Sequence, residues 1–382
     1  MNFFEKDQKE KLNYCDTLQV ISSLSKLFSE NDKPFLHYRI MENVFCECFK
    51  AKNLSRTDTA YDAKIGTLGV GLKTFLCDKA SIEKVAEFNK ASVNFKNKDK
   101  NSLVETLSNL RNDRIELANT LYGIEQAIYH IIARQRNKLI FFETDYEKID
   151  ISNIRDVREN FKNKILTSLS FYDGKNEYFF NFSKSVLQRK FYIPQNYNVL
   201  DIQILENPFK ILLSLKNKLS GFKESKEKIA GVDFVILPLF STRNSIKKVP
   251  IKSGLNQFNA SGRKRNLDEV YIPIPSKIHR YFPNFFPKRN EPFVLKTPLN
   301  ENLNVKVCQD NSKALMSNPN SALANWLLRK ILKLRPGELA TMQKLENLGF
   351  DSVIIFKNLQ NEYEIDIAPL NSYEKFIEER EI

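Results

Sequence analysis

The stretch IKSGLNQFNASGRKRNLDEVYIPIP, from Ile251 to Pro275, decides how the chain is read. Lys252, Asn256, Gln257, Asn259, Arg263, Lys264 and Arg265 fall within fourteen residues, with Gly254 and Gly262 between them. Amide side chains pair bidentately with adenine edges, and guanidinium groups with guanine edges. Basic neighbours neutralise phosphates, and glycine lets the backbone approach a surface closely. The composition then switches: Val270-Tyr271-Ile272-Pro273-Ile274-Pro275 is β-rich and carries prolines that are excluded from central strands. A polar arm leading into an edge strand is expected. A solvated loop, or a basic targeting tripeptide at Arg263 to Arg265, fits the composition alone equally well.

Taken with a second run, VCQDNSKALMSNPNSALANWLLRK from Val307 to Lys330, the stretch resembles the C-terminal DNA-binding domain of NgoFVII-like type II restriction endonucleases. That domain is similar to the pseudobarrel of plant B-three transcription factors, also seen in EcoRII and BfiI. The resemblance spans residues 232–370. It implies two loops that grip the major groove of duplex DNA, mapping to residues 252–271 and 309–320. The implied contacts are Lys252, Asn256, Gln257, Asn259, Arg263, Arg265 and Tyr271 on the first arm. On the second they are Gln309, Asp310, Ser312, Lys313, Ser317, Asn318 and Asn320. Trp326 is expected in the core beneath the second arm.

The 382 residues suffice for two domains, and 42% hydrophobic residues can build their cores. No apolar run is long enough to span a membrane, and the charged start MNFFEKDQKEK has no apolar h-region. Five cysteines form no paired framework, and Cys46-Glu47-Cys48 lacks partners at zinc-finger spacing. A reduced, cytoplasmic protein is the expectation. The net charge of +13 is unevenly placed. From Arg243 to Lys313, fourteen Lys/Arg face five Asp/Glu, whereas from Glu362 to Ile382 two face seven. A basic window ahead of an acidic tail suits a polyanionic partner.

Upstream, helical stripes are expected over residues 12–28 and 35–49, with Glu42 off the apolar face of the second. A turn at 66–69 leads into a strand at 70–76, then a helix at 82–89 capped by Ser81. Residues 94–101 read as exposed and mobile, and 103–134 as one long helix bent at Gly123. A strand at 138–143, a hairpin about Asp173-Gly174 and a helix at 202–218 follow. The boundary falls near 221–228, giving domains 1–228 and 229–382. In the second, strands are expected from 231 and over 292–297, 304–307, 352–357 and 363–367, with a helix over 341–348.

Cutting would need chemistry in the first domain. His37 and His130 are its only histidines, neither in an HxK pattern, and no GxxxxGK[ST] loop occurs. What remains is YDAKIGTLGVGLKTF, residues 61–75. An aspartate before a β-turn and a following strand that carries lysine resemble the PD-(D/E)XK nuclease core. In such a core, carboxylates hold Mg²⁺ and a lysine positions or deprotonates the attacking water. Asp62 and Lys73 match, but the acid expected two residues before the lysine is Gly71. The slot beside Lys73 is thus read as empty, to be filled by Glu87, or Glu83, from the following helix. Asp62 and Glu87 are the expected metal ligands and Glu42 a further catalytic carboxylate.

The resulting expectation is an α+β chain with a mixed α/β nuclease-like domain ahead of a β-rich pseudobarrel. It would act as a Mg²⁺-dependent type II restriction endonuclease on double-stranded DNA. A homodimer for double-strand cleavage and a companion DNA methyltransferase go with that reading. The alternative is a sequence-specific DNA-binding protein that does not cut. An RNA-binding role is weaker, because no aromatic-interleaved platform is evident.

Overall fold

The computed structural model describes residues 2–55, 59–88, 98–163, 165–221, 233–243 and 246–379. Two compact units emerge, one of residues 1–119 and 124–224, the other of residues 120–123 and 225–382. Residues 94–97 of the segment expected to be mobile, and 222–228 of the expected connector, lie outside the described residues.

The first unit begins with helices α1 (Phe3–Glu10), α2 (Tyr14–Ser23) and α3 (Tyr38–Phe49). Strands β1 (Lys52–Asn53), β2 (Ala63–Ile65), β3 (Leu68–Leu76) and β4 (Ala80–Glu87) follow. Helix α4 (Lys100–Tyr122) leads to β5 (Gln126–Gln135) and β6 (Lys138–Asp145). After these come β7 (Arg155–Lys162), β8 (Ile165–Tyr172), β9 (Glu177–Asn181), β10 (Val186–Tyr192), β11 (Asn198–Asp201) and α5 (Pro208–Gly221). One sheet runs β1-β2-β3-β5-β6-β11 and another β4-β10-β9-β8-β7. Strand β3 is parallel to β5, and α4 lies in the long connection that such a pair requires.

Side-chain alternation explains the packing. Val70 and Leu72 of β3 point into a core with Phe3, Tyr14, Phe45, Phe49 and Phe141 from the helices and β6. Each buried side chain of this size contributes roughly 1.5–3 kcal/mol. Gly71 and Lys73 therefore point the other way. There Tyr129 of β5 and Tyr146 stack at 4.1 Å between ring centroids. A Cβ on Gly71 would sit 2.7 Å from Tyr146 and 2.8 Å from Tyr129. The slot expected to be empty is filled by two rings, which a carboxylate at position 71 would have to displace.

One helix expected from the sequence is a strand, and so is the part beyond Gly123 of another, whose first part is helix α4. Residues 82–87 belong to β4, which pairs with β10 from Ala80↔Tyr192 to Glu87↔Val186, so Ser81 is a strand residue and not a helix cap. Residues 126–134 belong to β5, because α4 stops at Tyr122 and Gly123 takes a φ of +60°. In both places the apolar spacing suits either period, and cross-strand pairing decides. The helix expected from 202 starts only at Pro208. His130 is a core residue bonded to Tyr14 Oη and Glu143, each at 2.9 Å.

In the second unit, β12 (Asp233–Pro238) precedes a ribbon of β13 (Ser241–Arg243) and β14 (Ile246–Lys248). Then come β15 (Ile272–Pro273), α6 (Ser276–Tyr281), β16 (Pro292–Lys296), β17 (Asn302–Cys308) and β18 (Ala314–Ser317). The chain closes with α7 (Ser321–Ala324), α8 (Met342–Leu348), β19 (Phe350–Lys357), β20 (Tyr363–Pro369) and α9 (Ser372–Glu379). The seven strands run β12-β19-β20-β16-β17-β18-β15, and the two end strands approach each other, so the sheet is a nearly closed barrel. The proline-limited strand β15 sits at its edge, as its sequence requires. Trp326 is buried in a π-helical turn, Asn325–Ile331.

Overpacking at Gly71 gives a direct check. Gly71→Ala is expected to lower unfolding stability by roughly 1–3 kcal/mol, and Gly71→Glu by more, in chemical denaturation. Unchanged stability in Gly71→Ala would contradict the close contact with Tyr129 and Tyr146.

Candidate functional site

A cleft of about 550 Å³ in the first unit gathers Glu42, Asp62, Lys73, Glu83 and Glu87. Its most constrained member is Asp62, which lies at the entrance to the β2–β3 hairpin. Its amide donates to Val70 O at 3.0 Å, and its Oδ2 accepts the Leu72 amide at 2.7 Å. Burial raises the Asp62 pKa, against lowering by Lys73, the Leu72 amide, Arg39 and Lys84. Glu42, on α3, is buried and pairs with Arg39 at 3.2 Å. Burial and then the nearby Asp62 raise its pKa. The two carboxylates therefore repel each other in a poorly solvated place.

Glu83 and Glu87 have different situations. The register of β4 on β10 slips at Val85, since Leu187 pairs with Ala86 while Gln188 pairs with Lys84. This bulge puts Glu87 on the same face as Lys84, its ion-pair partner at 3.0 Å. Glu83 is left on the opposite face. Burial raises the Glu83 pKa, while Ser81 Oγ, donating at 2.6 Å, and Lys73 lower it. Glu83 thus senses Lys73 electrostatically, whereas Glu87 is engaged by Lys84 on the rim. The helix that was to present Glu87 does not exist.

Beneath the cleft lies Arg111 of α4, 2% exposed. It donates to Glu147 O at 2.7 Å and Tyr129 Oη at 3.4 Å, and lies 5.4 Å from the Tyr146 ring centroid. The only hint of this buried cation–aromatic block was Gly71 itself, the residue whose missing side chain makes room for the rings.

The first arm of the second unit is braced from within. Gly254–Asn259 forms a 3₁₀ turn whose residues up to Phe258 are buried. Asn256 is spent inside: its amide donates to Pro250 O and Ala340 O and accepts from the Ala340 amide at 2.8 Å. The central group is Glu269, 4% exposed in its side chain. One of its oxygens accepts from Gln257 at 2.9 Å, from Arg263 at 2.6 Å and from Arg265. Asn259 donates to Ile251 O at 3.2 Å. Lys252 and Lys264 are exposed, and Tyr271 is half-buried.

The second arm is not one loop. Residues 314–317 form β18, because the apolar Ala314 and Leu315 pair with β17 and β15. Ser317 is buried and accepts the Leu323 amide at 2.8 Å, which also removes it from the surface. Asp310 and Lys313 are exposed on one side of β18, with Gln309 and Ser312 half-buried, while Asn318 and Asn320 are exposed on the other. Asp310 meets Arg289 at 3.4 Å.

Residues 206–358, less than half of the chain, match the family model of the NgoFVII C-terminal B3-like DNA-binding domain. No curated protein matches the chain. The matched region is thus similar to a DNA-binding domain of a kind associated with restriction enzymes, which supports DNA as its partner. Among the described residues, no helix is long and apolar enough to cross a membrane.

Two outcomes follow from the electrostatics. A folded-state pKa raised above the unfolded one means that ionised Asp62 costs stability, a cost absent below the unfolded pKa and complete above the folded one. Asp62→Asn should therefore raise the melting temperature at pH 8, with the gain shrinking on acidification. A gain that grows on acidification would contradict the burial. Glu269→Gln should weaken site-specific DNA binding at least about tenfold, a change of ~1.4 kcal/mol, by releasing both arginines. Non-specific binding should hold or rise, since a negative charge is lost. Equal weakening of both would reduce Glu269 to a general stability role.

Proposed function

We propose that the chain is a type II restriction endonuclease whose second unit reads a short duplex site and whose first unit hydrolyses the phosphodiester bond. The observation that carries this reading is the cleft uniting Glu42, Asp62, Lys73 and Glu83 in a chain that also bears a restriction-enzyme-associated DNA-binding domain. Neither half alone would suffice. A DNA-binding domain needs no such cleft, and a group of carboxylates with one lysine is common on protein surfaces.

The donor chemistry suits Mg²⁺, which is bound through one or two carboxylates, with water and substrate phosphate completing the shell. Among the described residues, no three His, Cys, Asp or Glu side chains converge on one point, so protein ligands would be few. Asp62 and Glu42 would hold the ion, and their mutual repulsion favours a cation between them. Such an ion would supply charge stabilisation at the scissile phosphate. Lys73, which acts electrostatically on both Asp62 and Glu83, would position the attacking water or bind the phosphate. Glu83 would replace Glu87 as the carboxylate that works with the lysine. Because the carboxylates must shed their protons to bind metal, the Mg²⁺ requirement should rise as pH falls.

On the second unit, Arg263 and Arg265, held by Glu269, are the proposed base readers. Lys252, Lys264 and Lys313 are proposed phosphate contacts, with Gln309, Asn318 and Asn320 as further polar contacts. Cutting both strands would use two such clefts in a homodimer, and a partner methyltransferase would protect the host site.

Incubating the full chain with plasmid DNA and Mg²⁺ should give discrete fragments. Asp62→Ala, Lys73→Ala and Glu83→Gln should each reduce cleavage at least about a hundredfold, a scale of ~2.7 kcal/mol, with specific binding unchanged. Glu87→Ala should lose less than about tenfold. Specific binding with no cleavage under any divalent ion would instead favour the non-cutting DNA-binding protein.

A further inference from the structure

Arg39 of α3 lines the Asp62 cleft but has no part in the chemistry assigned to Asp62, Glu42, Lys73 and Glu83. It stands three residues before Glu42, so the two side chains share one face of the helix. Their exposures differ sharply. The Glu42 side chain is 7% exposed and that of Arg39 49%, so a buried carboxylate is paired with a cation that reaches solvent.

The pairing uses only one corner of the guanidinium. Nη1 donates to Glu42 Oε2 at 3.2 Å and to Ser55 Oγ at 3.1 Å. Ser55 Oγ is bonded in turn to Asn53 Oδ1 at 2.7 Å. Asn53 of β1 pairs with Ala63 of β2, the residue after Asp62. Arg39 is thus tied both to its own helix and to the strands beside Asp62. The Tyr38 ring adds a contact 5.4 Å from the guanidinium carbon. Nε and Nη2, by contrast, have no hydrogen-bond or ion-pair partner among the described residues.

Those two nitrogens form one edge of the guanidinium, the parallel pair of donors that phosphate oxygens accept bidentately. The edge belongs to a group near the carboxylates, because Arg39, like Lys73, lowers the Asp62 pKa against the larger effect of burial. Arg39 and Lys73 therefore act on one carboxylate from different elements, α3 and β3. A backbone phosphate entering the cleft is repelled by Glu42 and Asp62, and cations close to both offset that repulsion.

We propose that Arg39 seats the scissile phosphate of the DNA through its Nε–Nη2 edge, while Nη1 stays on Glu42 and Ser55. The proposal rests on the reading of this cleft as the cutting site, and it divides the labour there: Arg39 grips the phosphate, and Lys73 is left to the attacking water. The shared carboxylate has a further consequence. Arg39 partly neutralises Glu42, which is also a proposed metal ligand. Removing Arg39 should therefore spare or help metal binding while harming cleavage, a pair of effects that a merely structural role would not give.

The test uses the full chain and reads Mn²⁺ affinity without DNA by electron paramagnetic resonance, plasmid cleavage at saturating Mg²⁺, and melting temperature. In Arg39→Ala, cleavage should fall at least about a hundredfold while Mn²⁺ affinity holds or rises. Arg39→Lys keeps the charge but not the fork. It should lose about tenfold in cleavage, with Mn²⁺ affinity and melting temperature unchanged. Contact with the phosphate is read from a duplex carrying an uncharged methylphosphonate at the mapped cleavage position. That change should weaken wild-type binding about tenfold more than it weakens binding by Arg39→Ala, since only the wild type has the grip to lose. Cleavage by Arg39→Ala within about tenfold of wild type, full cleavage by Arg39→Lys, Mn²⁺ affinity that falls along with cleavage, or equal sensitivity of both proteins to the methylphosphonate would overturn the proposal. In each of those outcomes the wild type still cuts, so the cutting reading stands. A wild type that neither cuts nor binds Mn²⁺ overturns both.

Discussion

The first unit depends on a contact whose aromatic partners themselves line the cleft: Gly71 of β3 against the stacked rings of Tyr129 and Tyr146. The absence of a side chain lets the rings lie flat on the strand, and Arg111 beneath them holds both through its charge and its bond to Tyr129. Tyr146 Oη in turn bonds to Ala60 O, two residues before Asp62. The aromatic block therefore braces the approach to Asp62 as well as the strand bearing Lys73. A carboxylate at position 71 would have to displace it. The chain has room for a rigid hydrophobic support or for an acid on that strand, but not for both.

The second unit uses a different device to similar effect. Glu269 holds Arg263, Arg265 and Gln257 through a single oxygen, and Asp268 binds Arg329 at 2.5 Å. Two adjacent acids thus anchor an otherwise basic segment to its own domain. Long cationic side chains lose considerable conformational entropy when they bind a surface. Arginines already held in place lose less, which is the benefit of preorganisation in a reading loop.

Legibility in the sequence followed the range of the interactions. Strands β16, β17, β19 and β20 and helices α3 and α8 were readable because their apolar spacing matches a single period. Strands β4 and β5 were not, because Ile82, Val85 and Ile128 to Ile132 fit a helical stripe as well, and only pairing with distant strands resolves them. Asp62, Lys73 and Glu42 were legible as a local pattern and fall in one cleft. The exchange of Glu87 for Glu83 that we propose was not, since it turns on a bulge at Val85 that is visible only in the register with β10. The arms show the same limit. Residue types there suggested polar readers, yet Asn256 and Ser317 are spent on the backbone of their own domain. A sequence gives the chemistry of a side chain but not the number of its partners.

The central claim is that Asp62 and Glu42 form a divalent-ion site acting on DNA that is read elsewhere in the chain. Anomalous scattering from Mn²⁺ in crystals of the full chain with a duplex of its recognition site tests this most directly. The account predicts a peak bounded by the carboxylates of Asp62 and Glu42, close to the DNA backbone and absent in Asp62→Asn. A peak elsewhere in the chain, with those two carboxylates left without an ion, would contradict it.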